Sequence, residues 1–363
     1  MPSSPLAARG VVRWGLLGCG DVTEIKSGPG FQKARGSQLV AVMRRQGPLA
    51  ADYARRHGVP RWYDNAAALV NDPEVDAVCI ATPPGAHLEG IALVAAAGKP
   101  AYVEKPMARH TPECDAMIAA MDAARQKLFV AYYRRALPRF LKVKELLAGG
   151  AVGTLTAVAY RMAMPLPADP ETARRAWRLD ATHSGGGLLL DVGSHVLDLF
   201  DFFCDPLEQI AGHAAQLATR ANVEDAVAIT FLTAAGVPGS ATWNFSSHAH
   251  QDLLEFSGTK GRIALSVFGN EPVRFETAQG VESFDLPNPP HVAQPLIQTV
   301  VDDLLGRGTC PSTGESARRT SAVMDAILEN YYGGRGDAFW TRPLSWPGRT
   351  RSPAPTANSV SGI

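Results

Sequence analysis

The 363-residue sequence has no surplus of charge: 35 Lys and Arg balance 35 Asp and Glu, for a formal net charge of zero. That balance removes the electrostatic case for a nucleic-acid or membrane partner, which a basic patch would announce. Long apolar runs are missing as well. No segment approaches the ~20 residues needed to span a bilayer, and the opening MPSSPLAARG lacks the apolar stretch of a secretion signal. Paired cysteines are also missing: Cys19, Cys79, Cys114, Cys204 and Cys310 stand singly, without CxxC or zinc-ligand spacing. An odd, scattered set argues against a disulfide framework and for a reducing compartment, so the expected location is the cytoplasm. There is no internal repeat.

What remains is 46% hydrophobic and 19% charged, the composition of a well-buried globular protein of about two domains. From Val11 to about Val130, the apolar runs VVRWGLLG, QLVAVMRR, DAVCIAT, AYVEKP and KLFVAY alternate with Ala-rich helical stretches. Continuous apolar strands separated by helices predict a parallel, doubly wound sheet, hence an α/β nucleotide-binding domain over 10–131. After Tyr132 a helix around RFLKVKELLAGG leads into longer strand candidates joined by turn signals such as AAGVPG and TKGR. These predict a largely antiparallel sheet in a second domain over 132–345, with helices near Pro295–Leu305 and Ser316–Tyr331. The Pro-, Ser- and Thr-rich residues 346–363 read as a disordered tail.

Four motifs carry chemistry. WGLLGCGDV places Gly18 and Gly20 between an apolar strand and a helix. In a first βα unit, Gly18 makes the tight turn and Gly20 lets the backbone approach a pyrophosphate, with Cys19, Asp21 and Val22 beside it. Thr23 holds the third glycine position, so an ordinary strand–helix turn is the competing reading. The second strand ends VAVMRRQ, with Arg44 and Arg45 where an NAD enzyme places an acid for the ribose 2′-hydroxyl. Two guanidiniums suit a 2′-phosphate, so NADP(H) is the expected cofactor, with NAD as the alternative and a solvated arginine pair as the bland reading. CIATPPGAHLEG ends a buried strand at Thr82. Its Pro83, Pro84 and His87 then lie at the carboxyl edge of the sheet, where they would pack on the nicotinamide half. The bland reading is a plain strand end, with His87 in a helix's first turn. AYVEKPMA sets Glu104 and Lys105 at the end of another strand, where a lysine beside the nicotinamide is a candidate proton donor and acceptor; a structural lysine is the alternative.

A further stretch, GGGLLLDVGSHVLDLFDFF, is an apolar helix that carries Asp191, His195 and Asp198 at i, i+4 and i+7. As a metal site this spacing lacks a further convergent ligand, and the HAH at His248–His250 has no partner, so no metal is expected.

Together, GCGDV, ATPPGAH, VEKP, AWRLD and GGGLLLDVGSHVLD resemble the glucose-fructose oxidoreductase/inositol dehydrogenase (Gfo/Idh/MocA) family, from about Val12 to Tyr331. The resemblance implies an N-terminal Rossmann domain, a C-terminal α/β domain with an open sheet, and an active site between them. It implies Lys105 as the catalytic lysine, held after a cis Lys105–Pro106 bond, with Asp191 and His195 as the acid and histidine of the helix motif. It also implies Trp177 and Arg178 near cofactor and substrate, and a homodimer or homotetramer formed through the open sheet. AYYRRALPRF resembles the family's crossing segment, from which Tyr132 and Arg134 reach the cleft or else pack. Tyr160 is a further substrate candidate. Gly193 leaves room for a ligand or for close packing, and the glycine triplet lets backbone approach the substrate.

The expected function is NADP(H)-dependent hydride transfer to or from a secondary alcohol or carbonyl of a sugar, polyol or related ring. Lys105 exchanges the proton, His195 bonds the reacting oxygen or shares the proton role, and Asp191 orients the hydroxyl and the imidazole. The alternative is a catalytically silent NADP(H)- or sugar-sensing regulator of the same fold, against which the presence of Lys105, Asp191 and His195 together argues.

Overall fold

The computed structural model describes residues 9–165, 176–219 and 221–351. Six short strands rich in Val, Leu, Ile and Ala form the first sheet: β1 (Val12–Leu17), β2 (Ser37–Met43), β3 (Arg61–Tyr63), β4 (Ala77–Ile80), β5 (Ala101–Val103) and β6 (Leu128–Val130). All are parallel, in the order β3-β2-β1-β4-β5-β6. Every residue of β4, β5 and β6 is buried, as a sheet covered on both faces requires. Strand order reverses between β1 and β4, and that switch point opens a crevice at the strands' carboxyl ends. β3, at the sheet edge, goes unannounced in the sequence because its RWY is only partly buried and carries no apolar run, unlike the equally short β5 and β6.

The second sheet has eight strands: β7 (Leu155–Ala163), β8 (Leu207–Ala215), β9 (Ala226–Thr233), β10 (Pro238–Asn244), β11 (Gln251–Gly258), β12 (Gly261–Leu265), β13 (Val273–Thr277) and β14 (Gly280–Phe284). Their order is β14-β13-β12-β11-β7-β10-β9-β8, antiparallel except where β7 meets β10. One face buries Tyr160, Phe231, Trp243 and Phe256 in a core shared with the helices Pro138–Ala148, Ser194–Cys204 and Gly314–Tyr332. The other face carries small side chains, among them Ala228, Thr230, Ser240 and Thr242, all exposed. Strict alternation along β10 makes both faces at once.

Two segments depart from the expected boundaries. The helix Gln294–Leu304 returns to the first domain: Leu296, Ile297, Val300 and Val301 are fully buried against Val12, Trp14 and Phe31. Burial of side chains this size stabilises by about 1.5–3 kcal/mol each. Gln298 Oε1 accepts from Arg35 N at 2.7 Å, which fixes the docking. The expected boundary at 346 does not hold either. Trp346 is 2% exposed, its ring 4.7 Å from Tyr332 and its indole N–H donating to Phe339 O at 2.9 Å. Residues 352–363 lie outside the described residues, as do Ala173, Arg174 and Arg175 ahead of Trp177.

Candidate active site

The carboxyl end of β1 turns sharply at Gly18, whose φ is +88°. A Cβ there would press on Ala81 and Thr82 at 3.0 Å, so the turn demands glycine. A Cβ on Gly20 would meet nothing nearer than 3.8 Å, which leaves an open cradle above the loop. Thr23, where a third glycine was expected, is fully buried; its hydroxyl accepts from Gly20 N at 3.0 Å and donates to Gly20 O at 2.8 Å. Close packing is supplied instead by Gly28, where a Cβ would lie 2.3 Å from both Thr23 O and Tyr53 Oη. Burial pushes the Cys19 thiol up to about 11, so it stays protonated beside the cradle. Arg44 reaches back to Cys19 O at 3.5 Å, whereas Arg45 is exposed at the tip of β2. Asp21 and Val22 follow at the rim, exposed and half-buried. Thr82, at the exit of β4, has a buried hydroxyl without a hydrogen-bond partner among the described residues. An open cradle, an unpartnered donor and a switch-point crevice fit a dinucleotide across the top of the sheet.

Lys105 follows β5, ahead of a cis bond to Pro106. Its Nζ donates to Asp191 Oδ1 and to Asp191 O, both at 2.6 Å. The other carboxylate oxygen, Oδ2, accepts from Arg178 Nε at 2.7 Å. Burial alone would raise the Asp191 carboxyl, but Lys105 and Arg178 outweigh it and hold it at about 2. Asp191 lies in a wide π-type turn, Leu189–Gly193, that precedes the α-helix Ser194–Cys204. Such turns are often found at functional sites.

His195, in the first turn of that helix, is 5% exposed and its Nδ1 has no hydrogen-bond partner among the described residues. Edge-on rings of Tyr133, Phe268 and Tyr132 surround it at 5.3, 6.0 and 6.1 Å. Burial, reinforced by the positive charges of Arg134, Lys105 and Lys26, drives its pKa well below the ordinary value, so the imidazole is neutral. Glu104, beside Lys105, is pushed up by burial. Asp198, the third member of the charged stripe, serves elsewhere: Arg135 binds it bidentately at 2.8 and 2.9 Å and also takes Asp201 at 2.9 Å. This clamp ties the crossing segment to the second domain. Burial lifts Asp198 to about 6 despite Arg135.

Several expected site residues turn out to be structural. His87 is fully buried, with Nδ1 3.0 Å from Met107 O and Nε2 2.8 Å from Thr82 O. It staples the β4 exit to the loop after Lys105 and presents nothing to a cofactor. Tyr160 is buried in the second core and donates to Asp252 Oδ1 at 2.9 Å, so its hydroxyl is taken up by protein. Tyr132 is fully buried and packs behind His195. Trp177 is half-buried and stacks on Arg178, whose guanidinium carbon is 4.5 Å from the ring centroid; Arg178 acts on Asp191 rather than on an open pocket. Pro83 and Pro84 form the rigid exit loop, Pro84 opening a single helical turn.

The glycine triplet packs against protein, not substrate. A Cβ on Gly185 would strike Arg109 backbone at 2.7 Å and one on Gly187 would strike Glu224 O at 2.4 Å. Gly193 likewise packs: a Cβ there would lie 2.5 Å from Leu189 Cδ1. Arg335, 3% exposed, donates to Gly185 O at 2.6 Å and also to Arg109 O, locking the two loops that carry Asp191 and Lys105. Tyr133, Lys26, Phe268 and Arg335 had no signal in the sequence, since each gains meaning only from residues distant in the chain.

A Rossmann sheet with an open glycine cradle, and a Lys–Asp–His group at its carboxyl edge under a second domain, define an NAD(P)-dependent dehydrogenase. Family profiles agree: an oxidoreductase family with an NAD-binding Rossmann fold matches residues 12–132, and a GFO/IDH/MocA C-terminal domain matches residues 140–264. The protein called oxidoreductase P35 from Formosa agariphila is 35% identical over 320 residues, 87% of this chain and 98% of that relative. A 1,5-anhydro-D-fructose reductase from Ensifer adhaerens is 28% identical over 323 residues, 87% of this chain and 95% of the relative. A solved levoglucosan dehydrogenase in complex with NADH shares the fold at a TM-score of 0.79 and 22% identity, covering 88% of this chain and 96% of that one. The chain belongs to the GFO/IDH/MocA oxidoreductase family. Among the described residues, no helix is long and apolar enough to cross a membrane.

Proposed function

We propose that the chain moves a hydride between NADP(H) and a secondary alcohol or carbonyl carbon of a sugar, polyol or related cyclic substrate. The observation that carries this reading is the Lys105 ammonium, aimed by two 2.6 Å bonds from Asp191 at the carboxyl edge of the sheet, beside a neutral buried His195. When bound, the dinucleotide supplies the hydride acceptor or donor. Lys105 gives a proton to, or takes one from, the reacting oxygen. His195, uncharged, bonds that oxygen or a neighbouring hydroxyl. Asp191 holds the ammonium in line, and the aromatic wall of Tyr132, Tyr133 and Phe268 keeps water from the imidazole. A sugar-like substrate draws support from the relative that reduces 1,5-anhydro-D-fructose by name.

Arg44, turned toward the Cys19 carbonyl, supports a 2′-phosphate and hence NADP(H) over NAD(H). The small, exposed outer face of β9 and β10 supports a homodimer or homotetramer built through the second sheet. Five free cysteines support a reducing, cytoplasmic setting. The test is turnover of a panel of sugars, polyols and their ketones with NADPH, NADP⁺, NADH and NAD⁺, read at the nicotinamide absorbance. Turnover with a several-fold preference for the phosphorylated cofactor is expected, and Arg44→Ala should erase that preference. Tight dinucleotide binding with no turnover on any compound would instead favour a regulatory sensor.

A further inference from the structure

Within the hydride-transfer site proposed above, we propose that the substrate is a sugar bearing a negatively charged group, held by Lys26, Tyr133 and Arg134. Arg134 is 7% exposed, yet its guanidinium pairs with no carboxylate among the described residues. Its Nε donates to Val267 O at 3.2 Å and its Nη1 to Tyr133 Oη at 3.0 Å, while Nη2 has no hydrogen bond among the described residues. The guanidinium carbon sits 4.3 Å from the Phe268 ring centroid and 5.0 Å from that of Tyr133, the same two rings that flank His195. An arginine fixed between aromatic faces with one arm idle is preorganised to take an arriving anion.

Lys26 approaches the same ring from the first domain, its Nζ 5.9 Å from the Tyr133 centroid. Tyr133 accepts from Arg134, which leaves its own proton to donate. The nearby carboxylates do not neutralise this group. Asp191 is taken by Lys105 and Arg178, Asp252 accepts from Tyr160 and Phe268 N, and Glu104 faces Lys105 and Lys26 rather than Arg134. Four cations, Lys26, Lys105, Arg134 and Arg178, thus meet three carboxylates around the reacting end of the cleft, and the cation left over is Arg134. The pyrophosphate does not account for the surplus. Its cradle lies at Gly18–Gly20, whereas Arg134 is anchored to the substrate domain through Val267 O. An uncharged sugar has no use for such a field, and a carboxylate, phosphate or sulfate does.

Titration calorimetry of the enzyme saturated with NADPH tests this, using D-glucuronate against its uncharged methyl ester, D-galacturonate against D-galactose, and glucose 6-phosphate and glucose 6-sulfate against glucose. At least one anion should bind about ten- to a hundredfold tighter than its neutral partner, the worth of one or two charge-assisted hydrogen bonds. The arms identify which anion fits. That preference should drop about tenfold or more in Lys26→Gln, an exposed substitution, and in Arg134→Gln. Anions that bind no tighter than their neutral partners, or not at all, overturn the proposal. So does a Lys26→Gln variant that loses NADPH affinity while keeping the preference. Turnover of neutral sugars without any anion preference would leave the hydride-transfer reading standing and remove this one; anion binding without turnover would do the reverse.

Discussion

Replacing Asp191 by Asn keeps the side chain's shape and removes the charge that Lys105 Nζ and Arg178 Nε share. The expected cost can be worked from the carboxyl itself. An ordinary aspartate at 3.8 held at about 2 in the fold is stabilised by about 2 kcal/mol at pH 7. Because the folded value is depressed, this stabilisation is present above pH 4 and disappears as pH falls toward 2. Applied at pH 3, the same linkage leaves about 1 kcal/mol. Urea denaturation of wild type and Asp191→Asn at pH 7, 5 and 3 should therefore give a stability gap that is constant between pH 7 and 5 and roughly halved at pH 3. Catalysis should suffer more than stability, since the single amide oxygen of Asn cannot serve both Lys105 and Arg178 and its NH2 faces the cation left without an acceptor, which disturbs the alignment of Lys105; a fall in kcat of about a hundredfold or more is expected. A gap independent of pH, or a kcat within threefold of wild type, would refute the reasoning.

Three further outcomes follow from the geometry. With the His195 pKa driven down by burial and by Arg134, Lys105 and Lys26, kcat/KM should stay flat through pH 6.5 and fall only in more acid solution; a limb at or above 6.5 that moves in His195→Asn would contradict this. Gly28→Ala puts a methyl 2.3 Å from Thr23 O and Tyr53 Oη, so thermal melts should show a loss of about 1–3 kcal/mol and weaker dinucleotide binding. Trp346→Ala empties a site packed against Tyr331, Tyr332 and Phe339 and should cost about 3–5 kcal/mol by urea denaturation, where removal of a free tail would cost nothing.

The parallel sheet was legible because its strands are uniformly apolar and its glycines punctuate them, so Gly18, Lys105 and Asp191 could each be set at a carboxyl edge or facing helix. The assignment of 293–310 was not legible. An amphipathic stripe of Leu296, Ile297, Val300 and Val301 says that a helix is buried but not against which sheet. Trp346 misled for a related reason: a Pro-rich setting reads as unstructured unless the aromatic pocket formed by distant Tyr331 and Tyr332 is in view. Polar residues at motif positions were the weakest readings. His87 and Tyr160 look the same in a sequence whether they face a cofactor or bond Thr82 O and Asp252. Conversely, Tyr133 and Lys26 read as ordinary neighbours of Arg134 and of the glycine loop until tertiary contact brings both beside His195.

The central claim is that Lys105 moves the proton that accompanies hydride transfer. The most direct measurement is single-turnover transfer from C4-deuterated NADPH, with each stereoisomer in turn, to a ketose or keto-sugar substrate, by wild type and by Lys105→Met, with the product weighed by mass spectrometry. Wild type should place one deuterium on the carbinol carbon from one isomer only, and Lys105→Met should bind NADPH with unchanged affinity yet transfer none. Deuterium transfer by the variant at the wild-type rate, or no label in the wild-type product from either isomer, would contradict the account.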